Sequence, residues 1–532
     1  MSGAAPLPTG RADLLGRLAE PKRYDLAVVG GGATGLGVAL DAAQRGHSVV
    51  LIEAHDFAKG TSSRATKLVH GGVRYLAQGN ISLVREALHE RVHILASAPH
   101  LAQPLPFVMP SYKLWETPFY GIGLKMYDAL AGSAGLGRTE FLNARQTLRL
   151  LPGAQPRGLK GGVKYWDGQF DDARLALAIA RTAAQHGALL LNDVEAIEVL
   201  HDAGRAVGVR ARDAETGREF RIQAGCVVNA TGVWVDRLRQ QDAQRADQAV
   251  AALVAPSQGV HAVVDADFLP GEHALLVPST ADGRVLFAVP WLGKLILGTT
   301  DTPRPDLPLE PTPLAHELDF ILREAGHYLK RAPTRADIRS TWVGLRPLVK
   351  PSQDAQGATG AISREHTVLV SASGLVSVTG GKWTTYRAMA EDVLSRCVQA
   401  GMLSNRGPSA TAGLRMVGAP PRTAASPIGL NQAPGLHLYG TEADAVQALP
   451  GAERWLAPGL SEAMVRFAAR HEYARTVEDV LARRSRLLFL DASQAAAAAT
   501  AVAAVLQTET GRDPELAAFT ALAAQYGAAA TF

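Results

Sequence analysis

Ten consecutive positions, Lys67-Leu68-Val69-His70-Gly71-Gly72-Val73-Arg74-Tyr75-Leu76, hold a lysine, a histidine, an arginine, a tyrosine and two glycines. The polar groups supply hydrogen-bond donors, and the glycines let backbone approach a flat ring or another chain closely. A solvated loop with a core tyrosine is the alternative. A second group, Trp342-Val343-Gly344-Leu345-Arg346-Pro347-Leu348 followed by Ile362-Ser363-Arg364-Glu365, offers two arginines. Guanidinium forks match the oxygens of a phosphate dianion and keep their charge, although a surface salt bridge is the commoner fate of a single arginine. In Val378-Thr379-Gly380-Gly381-Lys382-Trp383-Thr384-Thr385-Tyr386-Arg387 a glycine turn opens a helix. Its N–H groups can face a ring carbonyl such as that of a flavin, and the positive helix end then stabilises negative charge on the reduced ring.

Such groups need a scaffold, and the N-terminal stretch carries the signature of one. Tyr24 to Val29 reads as a strand, Gly30-Gly31-Gly32-Ala33-Thr34-Gly35 as a turn into a helix, and Ser48 to Ile52 as a second strand that stops at Glu53. Glycines 30, 32 and 35 fit G-x-G-x-x-G, in which they serve the tight turn, the approach of a pyrophosphate and the packing of helix on strand. Helix-start N–H groups hold the diphosphate, and Glu53 lies where an acid accepts from an adenosine ribose. A purely structural turn is the competing reading, and the unit alone suits NAD as readily as FAD.

No regular series of further βα repeats follows, unlike a nicotinamide dehydrogenase. A polar loop, Thr61 to Lys67, precedes expected helices at Ser82–Ala98 and Asp172–His186. A meander is expected over Ala188–Leu191, Ala196–Leu200, Ala206–Arg212 and Glu219–Gln223, and then a short strand, Cys226–Ala230, that returns beside the nucleotide. Residues 255–345 read as a separate sheet covering the cofactor, with prolines 303, 305, 308, 311 and 313 leading to a helix at about Leu314–Arg331. The 532 residues imply two or three domains. Two distant cysteines argue against a disulfide framework or a cysteine metal site, and no metal is expected. A net charge of +4 is too mild for nucleic acid. No apolar run is long enough to cross a bilayer, and Ala495–Leu506 reads as a packed helix.

Together with Gly30–Gly35, the segments Thr61-Ser62-Ser63, Lys67–Leu76, Asp171–Leu175, Asn229–Gly232, Gly298–Asp301, Gly344–Leu348 and Gly380–Arg387 resemble the FAD-dependent glycerol-3-phosphate dehydrogenases of the aerobic, respiratory-chain type. His471 to Arg484 is similar to that family's C-terminal helical domain. The resemblance implies an α/β fold: an FAD-binding Rossmann-like domain interleaved with a β-rich substrate-binding domain, plus a C-terminal helical domain. The expected division is a flexible tail at 1–22, an oxidoreductase region at 23–400 and the helical domain at 401–532. Within 23–400, FAD-binding parts are expected at about 23–110, 165–255 and 345–400, and substrate-domain parts at about 110–165 and 255–345. By the family pattern Arg74, Tyr75, His261, Arg346 and Arg364 fall at the substrate, with Lys382 near the flavin and the reacting carbon. The FAD, held non-covalently, would be lined by Gly30, Gly32, Ala33, Thr34, Gly35, Glu53, Thr61, Ser62, Thr66, Lys67, Leu68, His70, Gly71, Val194, Ala230, Thr231, Gly232, Gly381, Lys382 and Thr384. Arg64 departs from the small residues common at that position in relatives.

The implied reaction is oxidation of sn-glycerol 3-phosphate to dihydroxyacetone phosphate, with electrons passed to membrane quinone. The C2 hydroxyl is a poor acid, so a base within about 3 Å is required. His261 is the first candidate and His70 the next, while Arg346 or Lys382 can stabilise the developing alkoxide instead. An oxidase using O2 is one rival, although the insertion usual in such relatives is not evident. A flavin oxidoreductase for another small hydroxy or amino substrate is a second, and a catalytically silent flavin protein a third. Tyr112-Lys113-Leu114-Trp115 and Phe119-Tyr120 mix basic and aromatic groups that suit a lipid headgroup layer, with packing of a substrate-domain helix the equal alternative. The expected location is therefore cytoplasmic, at the inner face of the cell membrane; a homodimer is an open option.

Overall fold

The computed structural model describes residues 5–72, 80–245, 249–281, 283–350, 366–424 and 427–527. Its first sheet runs, in spatial order, His366–Val370, Val376–Gly380, Glu219–Asn229, Arg23–Val29, Val49–Ile52 and Leu189–Leu191. All neighbours except the first pair are parallel. Parallel strands are covered on both faces and read as near-continuous apolar runs; Val49 to Ile52 are accordingly all buried. The helices Ala33–Gln44, Asp172–Gln185 and Tyr386–Gln399 pack side by side against these strands. Packing is tightest at Gly35, where a Cβ would lie 1.9 Å from the Gly30 carbonyl oxygen. Gly30 itself has φ of 111°, a conformation a side chain would disfavour.

The expected short strand at 226–230 is the second half of one strand, Glu219–Asn229. Its first half pairs antiparallel with Arg205–Asp213, while Gln223 to Asn229 pair parallel with Arg23 to Val29. Gly225, which interrupts the apolar run in the sequence, lies inside the parallel half, where Ala224 and Cys226 on either side of it pair in one register with Tyr24 and Leu26.

A ten-stranded second sheet faces the carboxyl edge of the first. Near one edge Val254–Asp265 runs between Lys294–Gly298 and Ser340–Val349. The helix Ala315–Tyr328 packs a second core against it, through Leu318, Ile321 and Leu322. This sheet reaches further along the chain than expected, because Leu68–Val69 and Ala102–Ser111 belong to it. Pro104, Pro106 and Pro110 all fall within the second of these strands. They share one parity along the strand, so their missing N–H groups fall on one side and the ladder to Gly161–Phe170 survives.

The N-terminus also departs from expectation. Arg11–Ala19 is a helix, not a loose tail, and buries Leu14 and Leu18 one turn apart. Arg11 inserts its guanidinium against Asp213 and the Asn192 carbonyl, and the Thr9 amide donates to the Arg470 carbonyl at 2.8 Å. A polar residue that finds a buried carboxylate left no apolar signal in the sequence. Beyond residue 401, Glu462–His471, Ala492–Thr510 and Leu516–Gly527 form the expected helical region. The alanine run lies in the second of these, with Ala495, Ala498, Ala499, Val502 and Leu506 buried. Among the described residues no helix is long and apolar enough to cross a membrane.

Candidate active site

Four parallel strands end together, and each end delivers a site segment. Val29 leads into the Gly30 turn, Ile52 into Glu53, Asn229 into Ala230-Thr231-Gly232, and Gly380 into Gly381-Lys382. Ligands of open α/β sheets bind at such carboxyl edges. Between this edge and the second sheet lie two adjoining cavities of about 260 and 270 Å³ that share Gly32, Thr61, Ser62, Ala230 and Gly232. Together they make one elongated site.

The first end is built around Glu53. One carboxylate oxygen accepts from the Gly31 amide at 2.6 Å and the other from the His55 amide at 3.0 Å. Burial pushes its pKa up to about 7. Glu195, Ala196, Trp234, Leu307 and Leu309 complete the walls there. Sequence reasoning missed these last residues: Leu307 and Leu309 sit in the proline-rich connection, which carries no periodicity, and Trp234 ties it down by donating to the Leu307 carbonyl at 3.2 Å.

At the middle, the Ser62 hydroxyl accepts from the Ala33 amide at 2.9 Å, and so fastens the polar loop to the helix start. The Thr61 hydroxyl donates to the Leu345 carbonyl at 2.6 Å, and the Trp383 indole donates to the Ser62 carbonyl at 2.9 Å. One loop is thus pinned to the first helix, the second sheet and the Gly380 turn. Arg64 donates to Glu310 at 2.6 Å and to the Leu309 carbonyl at 3.1 Å, which gives its charge a structural partner.

The other end gathers a histidine, an arginine and a lysine. His261 lies on the strand Val254–Asp265 of the second sheet, 2 % exposed, with Nε2 2.9 Å from the Thr66 hydroxyl and its ring stacked on Trp342 at 5.0 Å. Burial, reinforced by the charges of Lys67 and Arg346, holds its pKa well below 6.5. The imidazole is therefore neutral and able to take a proton. Arg346, on the adjacent strand, donates to the Thr300 carbonyl at 2.9 Å and pairs with Asp301 at 3.2 Å. Gly381, Lys382 and Thr384 close the cavity opposite, beside Thr66, Leu68 and His70.

Of the residues expected at a cofactor, Gly30, Gly32, Ala33, Thr34, Glu53, Thr61, Ser62, Thr66, Leu68, His70, Ala230, Thr231, Gly232, Gly381, Lys382 and Thr384 line the two cavities. Four do not. Lys67 is wholly buried behind the loop, with its ammonium 2.8 Å from both Asp172 and the Ser63 carbonyl. Burial pushes its pKa down to about 7. Gly71 donates its amide to the Tyr127 hydroxyl at 2.8 Å, and Gly35 is a packing glycine. Val194 is buried with its amide on the Glu53 carbonyl at 2.8 Å, and the next two residues reach the cavity in its place. Arg74, Tyr75 and Arg364 lie outside the described residues.

Residues 25–387 match the family model described as FAD dependent oxidoreductase, and residues 409–517 that of the C-terminal domain of alpha-glycerophosphate oxidase. The mitochondrial glycerol-3-phosphate dehydrogenase of Rattus norvegicus is 42% identical over 522 residues, spanning 92% of this chain and 71% of the relative. Its counterpart in Homo sapiens is 41% identical over 540 residues, spanning 95% and 73%. The crystal structure of glycerol-3-phosphate dehydrogenase from Bacillus halodurans complexed with FAD superimposes with a TM-score of 0.76, at 31% identity over 97% of both chains.

Proposed function

The chain belongs to the glycerol-3-phosphate dehydrogenase family of FAD-dependent oxidoreductases, and on that premise we propose that it oxidises sn-glycerol 3-phosphate to dihydroxyacetone phosphate and passes the electrons to a membrane quinone. The observation that carries this reading is the convergence of a neutral buried His261, the cation of Arg346 and the Gly381-Lys382 turn on one end of an elongated cavity. The residues present fit FAD: a glycine turn too tight for a Cβ, a carboxylate held at the ribose position, and a helix start aimed at the middle of the site.

Bound FAD supplies a two-electron acceptor for the C2 hydride. His261 accepts the C2 hydroxyl proton, with Thr66 fixing its Nε2 edge. Arg346 holds the phosphate and so presents C2 in one orientation. Lys382 offers positive charge where the alkoxide develops. Glu53 holds the ribose; Glu53→Gln should weaken FAD binding by about tenfold, because hydrogen bonds to a charged acceptor contribute about 1.5–3 kcal/mol. Fluorescence titration of the apoprotein with FAD checks this.

Anaerobic addition of sn-glycerol 3-phosphate should bleach the flavin, and a panel of amino acids should not. Bleaching by an amino acid alone would replace the proposed substrate, and no bleaching at all would leave the silent flavoprotein. Oxygen uptake with and without quinone separates dehydrogenase from oxidase.

Attachment to the inner face of the cell membrane from the cytoplasm is the remaining part of the proposal. Trp115, Phe119, Ile122 and Met126 recur at helical spacing before and along Glu116–Ala131 and are 52%, 65%, 61% and 54% exposed. Lys113 sits 5.8 Å from the Trp115 ring. The double variant Trp115→Ser, Phe119→Ser should sediment with anionic vesicles at least about tenfold less, since burying each side chain contributes roughly 2 kcal/mol. Equal sedimentation of the variant, or none of the unmutated protein at low salt, ends the idea.

A further inference from the structure

The polar loop that lines the cavity has a second face, and the C-terminal helical region reaches it. Arg486 lies there wholly buried, in a left-handed conformation with φ of 64°. Its Nη2 donates to the Ser63 carbonyl at 2.8 Å and to Asp172 Oδ1 at 3.0 Å. The Lys67 ammonium donates to the same carbonyl and to Asp172 Oδ2, each at 2.8 Å, and the Ala65 amide donates to Oδ2 at 3.0 Å. One carbonyl and one carboxylate are thus gripped by two cations, one from the loop and one more than 400 positions along the chain. Trp291 and Phe489 pack over the Arg486 guanidinium at 5.5 and 4.3 Å and keep water out. A non-glycine residue is held at positive φ only where its surroundings over-determine it. The front of this loop presents Thr61, Ser62 and Thr66 to the cavity, and Thr66 touches His261.

We propose that Arg486 is a positioning residue for the cofactor loop: through the Ser63 carbonyl and Asp172 it sets where Ser62 and Thr66 stand, and so couples the C-terminal helical region to FAD binding. This rests on FAD as the cofactor and is independent of the substrate assignment. Losing hydrogen bonds from a buried charged donor misplaces the carbonyl that shares it, and at 1.4 kcal/mol per decade an effect of about tenfold or more is expected.

The test is FAD titration of folded, full-length apoprotein. Arg486→Gln should bind FAD at least about tenfold more weakly, and Arg486→Lys, which keeps the charge without the fork, should recover most of the loss and bind about twofold to threefold more weakly than the unmutated chain. Arg466→Gln is the control. Arg466 pairs with Glu462 and Glu509 inside the same helical region, remote from the loop, so its loss should lower the melting temperature and leave FAD affinity unchanged. Equal FAD affinity in Arg486→Gln and the unmutated protein overturns the proposal. So does a drop of the same size in Arg466→Gln, which would reduce both to general destabilisation. If Arg486→Gln does not fold, Arg486→Lys decides alone: FAD binding weakened about twofold to threefold supports the proposal, and unaltered binding overturns it.

Discussion

Replacing His261 by asparagine should slow flavin reduction by sn-glycerol 3-phosphate by a factor of about 10²–10⁴, the contribution typical of a positioned general base, while FAD remains bound. The substitution removes the proposed base but keeps a planar polar side chain against Trp342. Anaerobic stopped-flow bleaching reads the step directly. His70→Asn should have a smaller effect, because His70 lies by the Thr384 side of the cavity and not on the strand beside Arg346. If the His70 variant is the slower of the two, the roles are reversed.

The pH dependence follows from the same surroundings. A base works when deprotonated, and His261 is held well below 6.5 by burial and by the charges of Lys67 and Arg346. The acid limb that His261 contributes to kcat/KM, which reports the free enzyme, should therefore lie below pH 6.5. An acid limb at or above pH 6.5 rules His261 out as the base. The linkage has a matching sign. The unfolded chain binds a proton at His261 that the folded chain refuses, so this residue makes the fold less stable as pH falls below 6.5 and adds no pH dependence above it.

The parts of this protein that could be read from its sequence are those whose signal is local. Tyr24 to Glu53 carries its strands, turn and acid within thirty residues, and the structure keeps that order. The Gly380 turn is legible for the same reason: two glycines at φ of 82° and 71° stand directly before a helix. What could not be read depends on distant partners. Lys67 looks like any other donor of its cluster, and only Asp172, over a hundred positions away, turns it from the cavity into the core. Arg11 hides a docked helix in what looks like a tail, because its carboxylate lies at Asp213. Leu307 and Leu309 wall the site from a segment whose composition says only connection. Site residues on strand ends were therefore recoverable, and those positioned by long-range ion pairs or by irregular backbone were not.

Arg346 should yield the second large effect. Arg346→Met should lower kcat/KM for sn-glycerol 3-phosphate by about 10²-fold, the worth of two charge-assisted hydrogen bonds at roughly 1.5 kcal/mol each. The guanidinium is partly exposed toward the cavity and is oriented by the Thr300 carbonyl, the Thr299 hydroxyl and Asp301, so its plane is fixed before any ligand arrives. Asp301 is itself held by the Ser257 hydroxyl, on the same strand as His261. Arg346→Lys should recover little, since an ammonium cannot satisfy these acceptors and a phosphate with one planar fork. The split between kinetic constants identifies the role. A phosphate anchor that acts in ground and transition state alike raises KM and leaves kcat largely intact, whereas a group that stabilises the developing alkoxide lowers kcat at constant KM. Glycerol, which lacks the phosphate, gives the decisive comparison. If Arg346 holds that group, Arg346→Met should leave the slow oxidation of glycerol unchanged and shrink the preference for the phosphorylated alcohol by the same factor of about 10². Equal losses on both substrates would place Arg346 at the reacting carbon and return the phosphate to another cation.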